Sequence, residues 1–297
     1  MTARNLRMQV AILPSGRLHL HDGPIDLVIG ADGKPDAVRA AFAAAVHRFA
    51  TVLDELCAEL PLLRAELRPF SSRPNGAVAR RMDAAMRPLC ESQFVTRMAA
   101  VAGAVADEVL AAMCAGAVLT RAYVNNGGDI ALHLAPAAVF AIGMAGGLND
   151  DPVLFGTTRI GHDDAVRGIA TSGCGGRSFS LGIADAVTVL ARDAACADAA
   201  ATLVANAVDL PGHAAILRAP ARDIDPQSDL CDRLVTRRVG LISAAEIASA
   251  LDAGAAEAER LRCEGRLVAA ALSLRGQVRT VGALDTPSHK PQVLHVV

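Results

Sequence analysis

The stretch VNNGGDI, residues 124–130, concentrates groups that could bind a ligand. Two consecutive glycines allow backbone N–H groups to approach an oxygen-rich ligand, and Asn125, Asn126 and Asp129 could orient hydrogen bonds. The same letters are typical of a β-hairpin, because Asn-Gly is a preferred type I′ turn pair. The stretch alone therefore allows both a ligand-binding loop and an ordinary turn.

A second polar run, IATSGCGGRSFS, covers residues 169–180. Its small residues from Thr171 to Gly176 can donate hydrogen bonds, and Arg177 after them carries a permanent positive charge. This composition suits a phosphate or carboxylate, and a surface loop is the alternative. It is not a P-loop, because it lacks the GK[ST] ending. Cys174 could act as a nucleophile or be a buried thiol, since no histidine stands beside it in sequence.

The segment CADAAATLVANAV, residues 196–208, predicts an alanine-rich helix with one polar stripe. Asp198, Thr202 and Asn206 follow each other at intervals of four, so they share one side of that helix. A carboxylate and a hydroxyl on one side can supply hard oxygen ligands for Mg²⁺. The alternative is structural, with Asp198 stabilising a helix N-terminus.

The composition limits the classes of protein to which the chain can belong. It has 297 residues, a net charge of −2 and only 3% aromatic residues. The charge offers no general attraction to a polyanion, and stacking platforms for bases are scarce, so nucleic acid is not an expected partner. Seven scattered cysteines without CxxC spacing indicate reduced thiols in a cytoplasmic protein, not a disulfide framework or zinc site.

One apolar window, residues 130–148, is long enough to cross a bilayer. His133, Pro136 and Gly143 interrupt it, which favours buried strands and turns over a membrane span. The N-terminal residues contain no sustained apolar segment of an export signal. We therefore expect no membrane association.

Hydrophobic periodicity predicts helices from Asp36 to about Pro61 and over 98–115, 195–208 and 243–262. Short β-like runs lie before and between them, and residues 267–282 predict a closing strand or hairpin. Residues 68–82 are predicted as a polar loop with a basic cluster, and residues 209–229 as a loop-rich insertion. Strands and helices alternate without regular βαβ spacing, so the expected class is α+β with a largely antiparallel sheet.

Five segments in order resemble the FAD:protein FMN transferase (ApbE-type) superfamily. The family's pattern runs through an apolar "GGIAKGYAVD" helix, "NxGGDI", "ATSG", "SVTVxA" and "ADAxAT". The matching segments here are AAVAGAVADEVL (99–110), VNNGGDI (124–130), IATSG (169–173), DAVTVLA (185–191) and CADAAAT (196–202). The whole chain, residues 1–297, is similar to a branch of that superfamily and would form one domain, with the motif-bearing core at about 95–210.

The resemblance implies an ApbE-like, T-fold-related architecture that binds FAD with Mg²⁺ and transfers FMN to a threonine hydroxyl of a partner flavoprotein. Asp198 and Thr202 match the magnesium ligands, with a backbone carbonyl near Ala99–Val101. The other matching positions are flavin- and phosphate-contacting residues: Asn125, Asn126, Gly127, Gly128 and Asp129 in the first loop, and Thr171, Ser172 and Gly173 at a strand end.

The chain departs from the family pattern at two catalytic features. Ala102 stands where the family has a lysine, and no histidine occurs between His162 and His213, where the family has a catalytic one. Arg177, Ser178 and Ser180 occupy that region and are the candidate catalytic residues. The departures leave two alternatives to an FMN transferase with a protein or small-molecule acceptor. These are a non-catalytic flavin- or nucleotide-binding module and a hydrolase of a small anionic metabolite; a homo-oligomer is left open.

Overall fold

The structure is a computed structural model that describes residues 7–91, 93–146, 153–176 and 178–284. Contacts within the chain divide it into two compact units, and each unit combines several segments of the sequence. That the chain forms one domain stays a prediction. The first unit consists of Met1–Phe140, Gly161–Ile169 and Asp193–Asp198, and the second of Ala141–Ile160, Ala170–Arg192 and Ala199–Val297.

An antiparallel sheet forms the framework of the first unit. Its strands pair in chain order, and β5 also pairs with the start of β8 (Gly168–Ser172), where Ile130 lies opposite Ile169. In β2 the residues alternate between buried and partly exposed, as expected for a sheet with one covered face. The strands are β1 (Gln9–Ile12), β2 (Leu18–Asp22), β3 (Ile25–Gly33), β4 (Leu119–Asn126) and β5 (Asp129–Leu134).

The helices of the first unit follow the apolar spacing of the sequence. In α1, five residues from Ala41 to Leu56 are buried at helical intervals, and Pro35 stands at the first position, where its missing N–H costs nothing. Pro61 lies at the start of a separate short helix. The elements are α1 (Pro35–Ala58), α2 (Leu60–Arg64), α3 (Ala77–Met86), α4 (Val101–Ala115) and the 3₁₀ turns Arg87–Leu89 and Arg97–Ala100.

The prediction of a polar loop over residues 68–82 was wrong for its second half. Helix α3 begins at Ala77, and Val78, Met82 and Met86 are buried on one side of it. These apolar residues have helical spacing, but adjacent arginines and the preceding Pro-Asn-Gly obscured the pattern. Burial of that side outweighs the loop-like composition.

Helix α4 and the preceding 3₁₀ turn, Arg97–Ala115, form one segment that is long and apolar enough to cross a membrane by length and composition. Its contacts are with α1, α3, β4 and β5, and its residues from Gly103 to Ala106 are buried. It therefore occupies the position of a core helix. The window 130–148 is not helical in its described part, where β5 and β6 (Val139–Gly146) confirm the expected strands. The prediction that these strands are buried was wrong for β6, whose residues 139–143 are half-buried or exposed.

The second unit contains a further set of antiparallel strands and α7. Strand β9 pairs with β12, and β12 forms the closing hairpin with β13. The predicted insertion, residues 209–229, contains β10, which pairs antiparallel with β11 directly after the insertion. The elements in or entering this unit are β6, β7 (Val153–Gly161), β8 (Gly168–Ser172), β9 (Ala186–Ala191), α5 (Ala194–Ala207), β10 (Ile216–Pro220), α6 (Ala221–Ile224), β11 (Leu234–Val239), α7 (Ala244–Cys263), β12 (Ala269–Leu274) and β13 (Gln277–Val281).

The α+β class with a large antiparallel sheet is confirmed, as are the four long helices predicted from the sequence. Helix α7 shows why its start was predictable. Ser243 and Glu246 form a reciprocal capping box, a pattern readable from sequence. All seven cysteines are free, as their spacing predicted.

Candidate functional site

The stretch 124–130 is a tight hairpin turn whose asparagines are buried. Gly127 and Gly128 form the turn with φ values of 65° and 111°, so the central pair is Gly-Gly and not Asn-Gly. Asn125 is 8% exposed, and its side-chain oxygen accepts a hydrogen bond from the Gly128 amide at 2.8 Å. The left-handed backbone at both positions explains why glycine is required.

The neighbouring Asn126 connects this turn to the start of α4. It is 6% exposed, and its Nδ2 donates to the carbonyl oxygen of Ala102 at 3.1 Å. The next amide of α4, from Gly103, donates to Oδ2 of Asp198 at 3.0 Å. Three segments that are distant in sequence therefore meet in the first unit: the turn, the start of α4 and the first turns of α5.

Two largely enclosed carboxylates cap the helices reciprocally. Asp198 of α5 accepts from the N-terminal amide of Gly103, whereas Asp107 of α4 accepts from the N-terminal amides of Ala194 (3.1 Å) and Ala195 (2.9 Å). Each helix thus supplies an acceptor for unsatisfied donors of the other. The structural alternative for Asp198 is therefore realised, although the N-terminus that it stabilises belongs to α4.

Two glycines allow this close approach of backbones. A Cβ on Gly103 would lie 2.1 Å from the carbonyl oxygen of Ala194, and one on Gly168 would lie 2.0 Å from that of Asp193. Both distances are far below any van der Waals contact. The Asp193–Ala194 segment therefore packs against two positions where only glycine fits.

The pKa of each carboxyl is raised by burial. For Asp198 burial raises the pKa to about 7, although the Gly103 and Ala102 amides oppose the shift. For Asp107 burial raises it to about 6 against the Ala195 and Ala194 amides. Charge repulsion between the two carboxylates adds to the shift of Asp198, so both side chains resist ionisation.

The polar stripe predicted on α5 is its accessible side. Asp198, Thr202 and Asn206 are partly accessible, whereas the residues between them are buried. Asn206 accepts a hydrogen bond from the Leu181 amide at 3.0 Å, and the Thr202 hydroxyl has no hydrogen-bond partner among the described residues. Asp198 is enclosed by protein atoms but keeps some accessible surface, which a purely structural cap does not require.

In the second unit, a hydrogen bond and close backbone packing hold the predicted strand end, Thr171 to Gly173, in place. The hydroxyl of Thr171 lies 3.0 Å from that of Thr188, and Ser172 ends β8. A Cβ on Gly173 would lie 2.5 Å from the carbonyl oxygen of Asp185, so this glycine has a packing role. A ligand contact for these residues stays a prediction.

The candidate catalytic residues Ser178 and Ser180 differ in their exposure to solvent. Arg177 lies outside the described residues. Ser178 is exposed, whereas Ser180 is buried and its hydroxyl accepts from the Gly182 amide at 3.2 Å. The Cys174 thiol faces the Ile183 carbonyl, and burial raises its pKa, which keeps it protonated and argues against a nucleophile.

Within the described residues, no three His, Cys, Asp or Glu side chains converge in a group that could hold a metal ion. A cation at Asp198 would therefore need oxygen ligands of other types, such as hydroxyl, carbonyl, water or ligand phosphate. The accessible surface of Asp198 and the hydroxyl of Thr202 one helical turn away are compatible with that donor set.

Comparison with known proteins identifies the family. A family model described as AbpE bacteria matches residues 10–280. The chain belongs to the AbpE bacteria family. Relatives include a UPF0280 protein of Methanopyrus kandleri, 36% identical over 220 residues, which cover 72% of this chain and 83% of that protein. A UPF0280 protein of Methanococcoides burtonii is 35% identical over 183 residues, which cover 57% of this chain and 67% of that protein.

The AbpE bacteria match includes the candidate site and nearly every helix and strand, from β1 to β13. Sequence reasoning singled out Asp198 and the 124–130 turn but missed Asp107, Gly103 and Gly168. One signal for Asp107 was available, because it lies four residues after Gly103 and therefore on the same side of α4. Its partner in α5 could not be read from the sequence.

The paired carboxyls give a testable pH dependence. Between about pH 4 and pH 7 the folded chain keeps protons that the unfolded chain has lost, so their contribution to the unfolding free energy falls as pH rises. In urea unfolding, we expect the unfolding free energy to fall less between these pH values for the double variant Asp107→Asn/Asp198→Asn than for the unmodified chain. Asp36→Asn, at an exposed position, should keep the original slope. Equal slopes for all three proteins would contradict the assignment.

Proposed function

We propose that this AbpE bacteria protein is an ApbE-like, T-fold-related protein that binds FAD or a related nucleotide with Mg²⁺. One observation carries the proposal: the 124–130 turn, the start of α4 and Asp198 are joined by two hydrogen bonds within the first unit. These are three of the segments that the resemblance assigns to one ligand pocket. Their convergence supports a pocket that the sequence alone could only suggest.

In this proposal Asp198 and Thr202 hold the metal, and the turn of Asn125 to Asp129 contacts the nucleotide. When bound, Mg²⁺ would offset negative charge on the pyrophosphate. The chain's own contribution is to hold the Asp198 carboxylate in place through the Gly103 amide and to fix the turn through Asn126. A cation would also stabilise the ionised form of Asp198, which burial disfavours.

The proposed activity is FMN transfer to a protein or small-molecule acceptor in the cytoplasm. The second candidate is a binding module without catalysis. It is favoured by the surroundings of Ser180, whose buried hydroxyl is used in a turn, and of Cys174, whose raised pKa keeps the thiol protonated. No activated nucleophile is therefore found among these described residues.

Asp198→Asn separates a metal ligand from a structural cap. The Asn side chain keeps an acceptor for the Gly103 amide but has no charge, and the raised pKa indicates that the folded chain already tolerates a neutral group here. We expect an unchanged or higher unfolding midpoint together with at least about a tenfold loss of Mg²⁺-dependent FAD affinity in calorimetry. Asp36→Asn serves as the surface control.

The outcomes of this experiment distinguish the candidates. Full Mg²⁺-dependent affinity in Asp198→Asn would remove the metal assignment. Absence of FAD binding by the unmodified chain would overturn the flavin proposal. If FAD binds, mass spectrometry of a co-expressed flavoprotein decides the activity: FMN on its threonine supports the transferase, and intact FAD without transfer supports the binding module.

A further inference from the structure

The loop Arg68–Gly76, named here the Phe70 loop, presents an aromatic side chain to solvent. Phe70 is 100% exposed, the highest value among the large apolar side chains of the described residues. Aromatic residues make up only 3% of the chain, so a fully exposed one is notable. An apolar ring left in water contributes nothing to the stability of the folded core. It contributes favourably to the free energy of association when a partner covers it.

Two arginines hold the backbone on either side of Phe70. Arg87 donates to the carbonyl oxygens of Pro69 (2.9 Å) and Ser71 (3.1 Å), and the fully buried Arg97 donates to that of Ser72 (2.7 Å). Three carbonyl groups next to the exposed ring are therefore fixed from beneath by guanidinium groups.

Asp83 orients both guanidinium groups. This carboxylate is 4% exposed, accepts from Arg87 at 2.8 and 2.9 Å and accepts from Arg97 at 2.7 Å. The two arginines hold its pKa below the ordinary value although burial acts in the opposite direction. A buried charge cluster thus supports a loop whose most prominent side chain makes no contribution to the core.

The far end of the loop is fixed as well. The carboxylate of Glu59 accepts from the amides of Asn75 (2.7 Å) and Gly76 (2.8 Å). Near Phe70, the Ser71 hydroxyl accepts from the Arg68 amide at 3.0 Å. A loop fixed in this way loses little conformational entropy on binding, so its rigidity favours association with a partner of defined shape.

The surroundings of Phe70 are basic. Between Glu59 and Arg97 the chain has seven arginines and four acidic residues, in a protein whose net charge is −2. Arg73 and Arg80 are exposed, and neither has a carboxylate partner among the described residues. The loop and the adjacent start of α3, where Arg80 donates to the Asn75 carbonyl, therefore combine an apolar ring with two arginines that have no carboxylate partner among the described residues.

We propose that the Phe70 loop docks an acidic partner protein. Phe70 enters an apolar pocket of that protein, and Arg73 and Arg80 face carboxylates at the pocket's rim. The partner is expected to be acidic because Arg73 and Arg80 carry positive charge. It is expected to be a protein, not a fluid lipid surface, because a fixed loop backbone matches a surface of defined shape. This inference is independent of the proposed flavin chemistry, because it uses no residue of the Asp198 site.

The test begins with a photo-crosslinking benzoylphenylalanine at position 70 in the full chain, expressed in the cells that make the protein naturally. The crosslinked protein is identified and purified, and its affinity is measured by calorimetry. We expect Phe70→Ala and Arg73→Glu each to weaken binding at least about tenfold, with the Arg73→Glu loss shrinking at high salt. Val118→Ala, at another exposed apolar residue of the same unit, should bind normally.

Because Phe70 is fully exposed, Phe70→Ala should leave the unfolding midpoint unchanged, so lost binding would not reflect lost folding. Four results would overturn the proposal: no crosslinked protein, crosslinks only to a second copy of this chain, unchanged affinity of Phe70→Ala for the crosslinked protein, or Phe70-dependent sedimentation with anionic phospholipid vesicles. The last result would identify a lipid surface as the partner.

Discussion

Replacement of Gly103 by alanine is expected to lower the unfolding free energy by at least about 3 kcal/mol, measured by urea unfolding. The added methyl group would lie 2.1 Å from the carbonyl oxygen of Ala194, and that oxygen belongs to backbone that cannot rotate away. Relief of this clash would separate α4 from α5. Both Asp198 and Asp107, which are largely enclosed, would then lose their amide donors.

Gly116→Ala is the matched control, since Gly116 ends the same helix, has a negative φ and has no atom within 4 Å of an added Cβ. Its unfolding free energy should change by no more than about 0.5 kcal/mol. Equal stabilities of the two variants would show that the helices can separate without loss, which contradicts the close packing described above.

The second large effect is expected from Arg97→Met. The guanidinium group of Arg97 is fully buried and donates to Asp83, Leu62 and Ser72. Methionine preserves much of the side chain's length but leaves two carbonyl groups and part of a carboxylate without donors. We expect a loss of about 3–5 kcal/mol in unfolding free energy, as for other broken buried ion pairs.

Proteolysis by chymotrypsin gives a second measurement for this variant, because the Phe70 loop should become cleavable after Phe70 once the Ser72 carbonyl is released. Arg39→Met, at an exposed position of α1 that makes no contact with the loop, is the control and should leave both stability and cleavage unchanged. A loss below about 1 kcal/mol for Arg97→Met would mean that water or Arg87 replaces its bonds.

Local patterns made much of the fold predictable. The four long helices have apolar residues at helical spacing, and the start of α7 has the Ser243–Glu246 capping box. The turn at Gly127–Gly128 was predictable because consecutive glycines permit the positive φ values that it needs. These features depend on residues near each other in sequence.

The candidate site was only partly predictable for the opposite reason. The polar stripe of α5 follows from helical spacing alone, whereas the bond from Gly103 to Asp198 joins residues 95 positions apart. Asp107 was missed because its partners, Ala194 and Ala195, have no side-chain chemistry by which to recognise them. Helix α3 was missed because arginines and a preceding glycine masked an apolar face whose burial only packing reveals.

The reciprocal caps have a consequence for the order in which the chain folds. Helix α5 has an acceptor close in sequence, since Asp193 accepts from the Cys196 amide, whereas α4 starts at Val101 and its N-cap residue, Ala100, provides no side-chain acceptor. The first turn of α5 can therefore form locally, but that of α4 gains its acceptor only after a loop of more than ninety residues closes. The beginning of α4, which contacts the 124–130 turn, should accordingly be completed late, after α5 has formed.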